Sequence, residues 1–430
     1  MQNARDRLDK ILARLAARKA DERVFLKIYA HEARAAAAAS DTRQGAGRTL
    51  GPLDGAIVSI KDIFDVAGEP TLAGSVIHKH AAAATTDADV VARLRQAGAI
   101  ILGKTNTTEF CFTSEGINPH YGTPGNARDP ALIPGGSSSG AAVSVAEGTS
   151  EIAIGSDTGG SVRIPAALNG IVGFKPTASR ISRRGVFPLS PTLDSVGSLA
   201  RTVAACAAAD AIMAGDAWQD FTPLPLAGMR IGLPPRVMLE DLDDDIGAGF
   251  SSTLDLLGRS GATLAACPID DLLRDMREAT SGASIASVEA AEIHADWLLR
   301  DDGPVDRRMA EPLKRRLGFP AWTYLRMIRA RNELAAAIDA RLRAFDAFVA
   351  PTLPIFAPPI DRVVSDPAFA DLIEALLLRN AQIANQFDLT AISLPMPCRG
   401  GSAGLTLVAR NGKDRRLLQL AAGIEKLLAA

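Results

Sequence analysis

Three short segments carry residue types that could do acid–base and nucleophilic chemistry. In the first, Val58-Ser59-Ile60-Lys61-Asp62, a lysine closes an apolar run. The chain has only ten lysines against 37 arginines, and an ammonium at the end of a buried strand is costly. Such a lysine either snorkels to water or gives up its charge through desolvation and becomes a base. The second segment, Pro134-Gly135-Gly136-Ser137-Ser138-Ser139-Gly140, precedes the helix-like AAVSVAEG. A serine-rich turn between two ordered elements presents its hydroxyls inward. The third, Gly155-Ser156-Asp157-Thr158-Gly159-Gly160-Ser161-Val162-Arg163-Ile164-Pro165, follows directly on a strand pattern. Adjacent glycines before Ser161 let successive backbone N–H groups converge on one point, a nest that can hold an oxyanion. One such loop is a weak signal; the three together are a strong one.

Other patterns match a motif and fail on context. Gly98 to Thr105 fits GxxxxGK[ST], but the residues between its glycines are themselves strand-like, where a phosphate loop needs a free turn. Gly136-Ser137-Ser138-Ser139-Gly140 fits GxSxG with Ser138 as nucleophile. That elbow needs a preceding strand and a later histidine, and only His294 follows, inside a helical pattern. Asp241, Asp243 and Asp245 have calcium-loop spacing, but Ile246 and Ser252 stand where Gly and Glu are required. They read better as the acidic first turn of a helix. His78 and His80 lack a third ligand and read as surface histidines. No metal or organic cofactor is expected.

The elements around these segments alternate. Strands are expected at 55–60, 99–103, 151–156, 229–233, 262–268, 346–351, 391–395 and 403–409. Helices are expected at 26–39, 87–98, 244–259, 283–299, 321–344, 369–386 and 415–429. A first helix carries Leu8, Ile11, Leu12 and Leu15 on one stripe, a face that could serve a homodimer. The alternation predicts an α/β fold: a single large mixed, mostly parallel β-sheet core covered on both faces by helices. The chain of 430 residues reads as one domain, 1–430. Within it lie N-terminal helices (1–50), a catalytic core (51–205), a largely helical region around the pocket (215–345) and a C-terminal completion of the sheet (346–430). A net charge of −2 argues against a direct nucleic-acid partner. Four scattered cysteines and the absence of a long apolar run or leader pattern point to the cytoplasm and away from membranes.

The order IKD, PGGSSSG, GSDTGGSVRIPA, with Ser137 and Ser161 24 residues apart, resembles the amidase signature family of serine hydrolases. The likeness continues through GIVGFKPT (170–177), SRRGVFP (182–188), LDSVGSLART (193–202), APTLPIFAPPI (350–360) and AISLP (391–395). It therefore covers most of the chain. It is similar both to bacterial amidases of small urea-derived amides and to the glutaminase component of glutamyl-tRNA amidotransferase. The resemblance implies that Lys61 is the catalytic lysine, Ser137 the bridging serine behind a cis peptide bond, and Ser161 the nucleophile. It implies an oxyanion hole of the amides of Thr158, Gly159, Gly160 and Ser161. Asp157 and Arg163 are then a charged pair propping the nucleophile loop, and Ser138 supports the bridging serine.

That assignment makes chemical sense. A serine hydroxyl is a poor nucleophile without an adjacent base. Neutral Lys61 would take a proton from Ser137 as Ser137 takes one from Ser161. The expected reaction is cleavage of the C–N bond of a small carboxamide or urea-derived amide; the alternative is the glutaminase subunit of a tRNA-dependent amidotransferase. Three departures bear on the substrate. The carboxylate-clamping arginine of malonamidase-type relatives is absent, since this chain reads Val162-Arg163-Ile164. Thr406 interrupts the GLQL pattern of many members, and Asp388 stands in a stretch where relatives usually show Gly and Pro. The chain also leaves no room for the C-terminal domain of allophanate hydrolases and shows no membrane helix like that of the fatty acid amide hydrolases.

Overall fold

The run Ile57–Lys61 is buried at every position, which a strand tolerates only when both faces of its sheet are covered. In the computed structural model, which describes residues 3–300 and 303–429, this run is the strand β2 of an eleven-stranded sheet. The other strands are β1 (Phe25–Ile28), β3 (Ile100–Thr105), β4 (Ile152–Asp157), β5 (Val172–Lys175), β6 (Ser195–Ala200), β7 (Arg230–Leu233), β8 (Thr263–Ala266), β9 (Ala347–Pro351), β10 (Thr390–Met396) and β11 (Ala403–Ala409). Their spatial order is β1-β3-β2-β4-β6-β5-β10-β11-β9-β7-β8. All residues of β2, β3, β4, β5, β6, β9 and β11 are buried, and helices lie on both sides of the sheet.

The sheet is mixed, as expected, but parallel pairing is not the majority. β2 runs parallel to β3 and β4, and β7 to β8 and β9. The other six pairings are antiparallel. The reason is local. The helix Arg163–Asn169 carries the chain from β4 to β5 in the same direction, but β6 inserts between them and runs against both. β10 and β11 pair antiparallel in register from Thr390↔Ala409 to Met396↔Ala403, across a short connection.

The helix Ala4–Ala17 starts at Asn3, whose side chain accepts the Asp6 amide at 2.8 Å. Its Leu8, Leu12 and Leu15 are buried against Ala33, Ala37, Ile57 and Leu102 of the same chain. Each buried leucine contributes about 1.5–3 kcal/mol, so these leucines are used within the chain, while Ile11 stays half-buried. The expected helix at 26–39 is corrected: Phe25–Ile28 is a strand and the helix runs Ala30–Gly45. Pairing with β3 overrides local propensity there. The helix expected at 283–299 is broken at His294, and that at 369–386 at Gln382. The helix Asp244–Arg259 has the expected acidic start, with Asp243 as its cap.

Candidate active site

β2 and β4 are neighbours and parallel, with Ile60 paired to Ile154. Their C-terminal residues Lys61 and Asp157 therefore emerge at the same edge of the sheet, where loops gather and ligands bind in sheets of this kind. Lys61 does not snorkel. It is 0% exposed, and its Nζ lies 2.7 Å from Ser137 Oγ and 3.0 Å from Ser156 Oγ. Burial pushes this amine below the ordinary lysine value, while Cys111 beside it and the charges of Asp194 and Asp157 oppose the shift. Ser156 is a partner that motif spacing does not single out.

Ser137 follows a cis peptide bond, Gly136–Ser137. Its carbonyl accepts from Thr107 Oγ1 at 2.9 Å, which pins the turn to the end of β3. Ser138 precedes the helix Ser139–Glu147. Its N–H donates to Ser161 O at 3.2 Å and its hydroxyl to Ser156 O at 3.3 Å. Ser138 thus ties the serine turn to the loop that carries Ser161, and both its N–H and its hydroxyl are engaged there. Gly155 is required by this approach: a Cβ there would sit 2.6 Å from Ser138 Oγ.

The loop after β4 is organised by Asp157. Its carboxylate accepts Gly160 N at 3.0 Å and Val162 N at 3.1 Å, and it pairs with Arg163 Nε at 3.0 Å and Nη2 at 2.8 Å. Burial alone would raise this carboxyl, but the Arg163 guanidinium and the Asn385 amide hold it below the usual carboxylate value. Asn385 donates to both the carbonyl and the carboxylate of Asp157, at 2.8 and 2.9 Å, and accepts from Arg163. Gly160 has φ +126°, and a Cβ there would meet Ala381 at 2.5 Å. Of the four amides expected to form an oxyanion nest, one is engaged elsewhere. The Gly160 N–H is taken by Asp157, so the amides of Thr158, Gly159 and Ser161 are the donors that remain.

Ser161 is 7% exposed and lines a cavity of about 390 Å³ together with Thr158 and Gly159. Leu189, Leu193 and Ile285 add apolar surface. Lys61 and Ser137 are joined, but among the described residues no hydrogen bond runs from Ser161 Oγ to Ser137. Such contacts often tighten only when substrate is bound.

The rejected motifs resolve as physics suggests. Lys104 is a buried strand residue paired with Asp62 at 3.1 Å. His294 is buried, accepts from Trp297 Nε1 at 3.1 Å and packs on Phe110, and burial pushes it down to about 4. His78 is half-buried against Phe110 and Phe187, not a surface residue; His80 is exposed. Among the described residues no cluster suited to a metal ion occurs, and no helix is long and apolar enough to cross a membrane. Thr406 is buried in β11 with its hydroxyl 3.4 Å from Ile392 O, and Asp388 holds a turn at φ +53°. Neither lines the cavity.

Comparison with known proteins identifies the family. The sequence profile of the Amidase family matches residues 6–418. The chain is 34% identical over 407 residues to 2-amino-5-chloromuconic acid deaminase of Comamonas testosteroni, covering 92% of this chain and 86% of that protein. It is 34% identical over 382 residues to a 1-carboxybiuret hydrolase subunit of Pseudomonas, covering 83% and 80%. It is also 34% identical over 459 residues to a glutamyl-tRNA(Gln) amidotransferase component of Acidothermus cellulolyticus, covering 96% and 89%. A crystal structure of an amidase superposes with a TM-score of 0.85 at 29% identity, covering 99% of this chain and 96% of the other. The chain belongs to the amidase signature family and is a hydrolase of amide C–N bonds.

Proposed function

We propose that this protein is a cytoplasmic hydrolase of small carboxamides or urea-derived amides, acting as one domain through an acyl-enzyme on Ser161. The observation that carries the mechanism is the buried Lys61 amine, 2.7 Å from Ser137 Oγ. Desolvation favours its neutral form, so the amine can accept the Ser137 proton while Ser137 takes that of Ser161. Ser161 Oγ then attacks the substrate carbonyl. The oxyanion faces the amides of Thr158, Gly159 and Ser161, donors already fixed in place and therefore effective without reorganisation. The C–N bond breaks as Ser137 returns a proton to the leaving nitrogen. Water, deprotonated along the same path, cleaves the ester and regenerates Ser161. This route draws on no metal or cofactor. The four cysteines are unpaired, which suits a reducing compartment.

A fluorophosphonate probe should add its mass to the Ser161 peptide, and purified protein should release ammonia from simple carboxamides with chelator present. Labelling of Ser138 instead, with activity dependent on His294, would replace this assignment. The likeness to the amidotransferase component supports a second reading, a glutaminase that works with a partner and tRNA. Amide hydrolysis by the isolated chain favours the first reading; glutamine hydrolysis only with an added partner favours the second.

A further inference from the structure

Ser114 and Glu374 both line the cavity that exposes Ser161. They come from different segments: Ser114 from the loop that follows β3, Glu374 from the helix Pro367–Ala381. Ser114 holds one oxygen of Glu374 through its N–H at 2.9 Å and its hydroxyl at 2.5 Å. The next residue, Glu115, is 3% exposed and neighbours Glu374. Its Oε2 is buried and has no hydrogen-bond partner.

Two carboxylates side by side in a buried place cannot both ionise, and a buried oxygen without a donor is disfavoured. One proton held by the pair answers both, because a protonated carboxyl donates its O–H to the other. Burial and Glu115 push the Glu374 carboxyl well above the usual carboxylate value. Burial raises Glu115 as well, with Arg308 favouring its ionised form and Asp306 opposing that. Arg308 itself is paired with Asp306 at 3.1 Å. The other charged groups nearby are Arg316 in the cavity lining and, on the same helix as Glu374, Arg379, which is paired with Asp241 at 3.7 Å. The proton therefore belongs on Glu374, donated toward Glu115.

The loop side of this junction is fastened independently. Ser114 O accepts from Gly136 N at 2.6 Å and Glu115 O from Gly135 N at 3.1 Å, so the loop is tied to the turn that carries Ser137 by bonds that involve neither carboxyl. The helix side supplies Leu378 as well as Glu374 to the cavity. We propose that Glu374 is a positioning residue for substrate: bonded to Ser114 and Glu115, its carboxyl closes the seam between the 113–116 loop and the helix Pro367–Ala381, and the closed seam is the form of the cavity that holds an amide. Loss of the shared proton sets two carboxylates against each other and opens the seam. Substrate is then held less well, while the Ser137 turn keeps its backbone bonds. The inference rests on the proposed amide hydrolysis at Ser161 and adds a second ionisation to it, one that acts on binding.

The test follows KM and kcat for butanamide across pH. Because the Glu374 carboxyl is raised, the closed seam is present at lower pH and lost as pH rises, so KM in the wild-type protein should climb by about tenfold on the alkaline side. Over the same range kcat should follow Lys61 and level off. Glu374→Ala should raise KM by about tenfold at every pH, with kcat moving less. Glu374→Gln keeps an oxygen for Ser114 and offers an N–H to Glu115 without being able to ionise. It should restore most of the affinity lost in Glu374→Ala and abolish the alkaline rise. A second arm needs no turnover: Ser161→Ala protein carrying 13C at the glutamate δ carbon, titrated by NMR alone and with butanamide. One carboxyl resonance should titrate well above the other glutamates, vanish in Glu374→Gln and move further up with butanamide bound. That result upholds the seam even if no amide is hydrolysed, in which case only the hydrolytic reading fails. The absence of such a resonance overturns the proposal, and so does a titration that butanamide leaves unmoved. A wild-type KM that stays level, or an alkaline rise that survives Glu374→Gln, overturns it as well.

Discussion

At the ends of β2 and β4 each charged group of the site has an internal partner. Lys61 meets two serines, and Asp157 meets Arg163, Asn385 and the amides of its own loop. These residues project from adjacent strands or from turns packed on them. The helical wall over the cavity is made differently. Its residues come from short helices interrupted at His294 and Gln382 and from the turn after Lys314. Among the described residues the buried Nε of its Arg316 has no hydrogen-bond partner, and burial pushes the Glu374 carboxyl well above the usual carboxylate value. The difference separates two tasks. On the proposed mechanism the strand ends hold reacting groups in place before substrate arrives, which is where rate enhancement by preorganisation comes from. On the same proposal the wall leaves polar groups for the substrate to satisfy, which is where discrimination would come from.

Changes at the strand ends should therefore strike the chemical step, and the largest effect is expected at Lys61. Lys61→Ala and Lys61→Arg should each cut amide kcat/KM by about a thousandfold or more, by analogy with removal of a base from a nucleophile–base set. Guanidinium stays protonated and cannot accept a proton, so the arginine variant should do no better than the alanine one. A matching ester should lose less, because an alkoxide can leave without full protonation. The lowered Lys61 value gives the sign of the pH profile: amide turnover rises with pH as the ammonium loses its proton, then levels off on the alkaline side. Near wild-type amide turnover in Lys61→Arg, with an unchanged circular dichroism spectrum, would remove Lys61 from the role of base.

The next largest effect is expected at Asp157. Asp157→Asn leaves Arg163 buried without its counter-charge, which costs about 3–5 kcal/mol. It also loosens the loop that carries Ser161, so kcat should fall along with the urea midpoint. The double variant Asp157→Asn/Arg163→Met should recover part of the stability, because a buried pair replaced by neutral groups costs less than a pair broken on one side. A double variant no more stable than Asp157→Asn would show that the pair does not act as a unit.

The same division explains how much the sequence discloses. Lys61, Ser137 and Ser161 stand out because lysine is rare in this chain, because one closes an apolar run, and because glycines crowd the two serine turns. Local patterning marks them. Asn385 supports the Asp157–Arg163 pair from 222 residues beyond Arg163, and no spacing rule connects them. Ser156 lies inside a quoted motif, yet its contact with Lys61 depends on β2 and β4 being neighbours. β5 and β6 are interrupted by glycine and by serine or lysine, so neither shows the continuous apolar run that marks the other buried strands. The edge strand β1 precedes an alanine-rich helix, and propensity alone merges the two. A β–helix–β succession fixes the direction of its two strands but does not reveal a third inserted between them, which is why the alternation suggests more parallel pairing than the sheet contains.

The smallest effect, and the sharpest probe of the division, is expected at Glu289 in the wall. Its carboxylate receives the hydroxyls of Ser190, Thr192 and Tyr324 and the Thr192 amide at 3.1 Å. It thereby ties the helix Ile285–Ile293 to the 189–194 loop and to the helix Ala321–Arg341. Those first two segments supply Leu189, Leu193, Ile285 and Ser287 to the cavity. Glu289→Ala leaves three hydroxyls without their acceptor, at about 1–3 kcal/mol for each one that stays buried. The wall should then hold substrate less well, while Lys61, Ser137 and Asp157 keep their own partners. KM should rise by about tenfold with kcat within about threefold, a loss of binding shared by ground and transition states. Glu289→Gln, which retains an acceptor oxygen, should restore most of the affinity. If kcat falls in Glu289→Ala as it does in Asp157→Asn while KM stays put, the wall positions the reacting groups as well, and the separation of holding from discriminating does not stand.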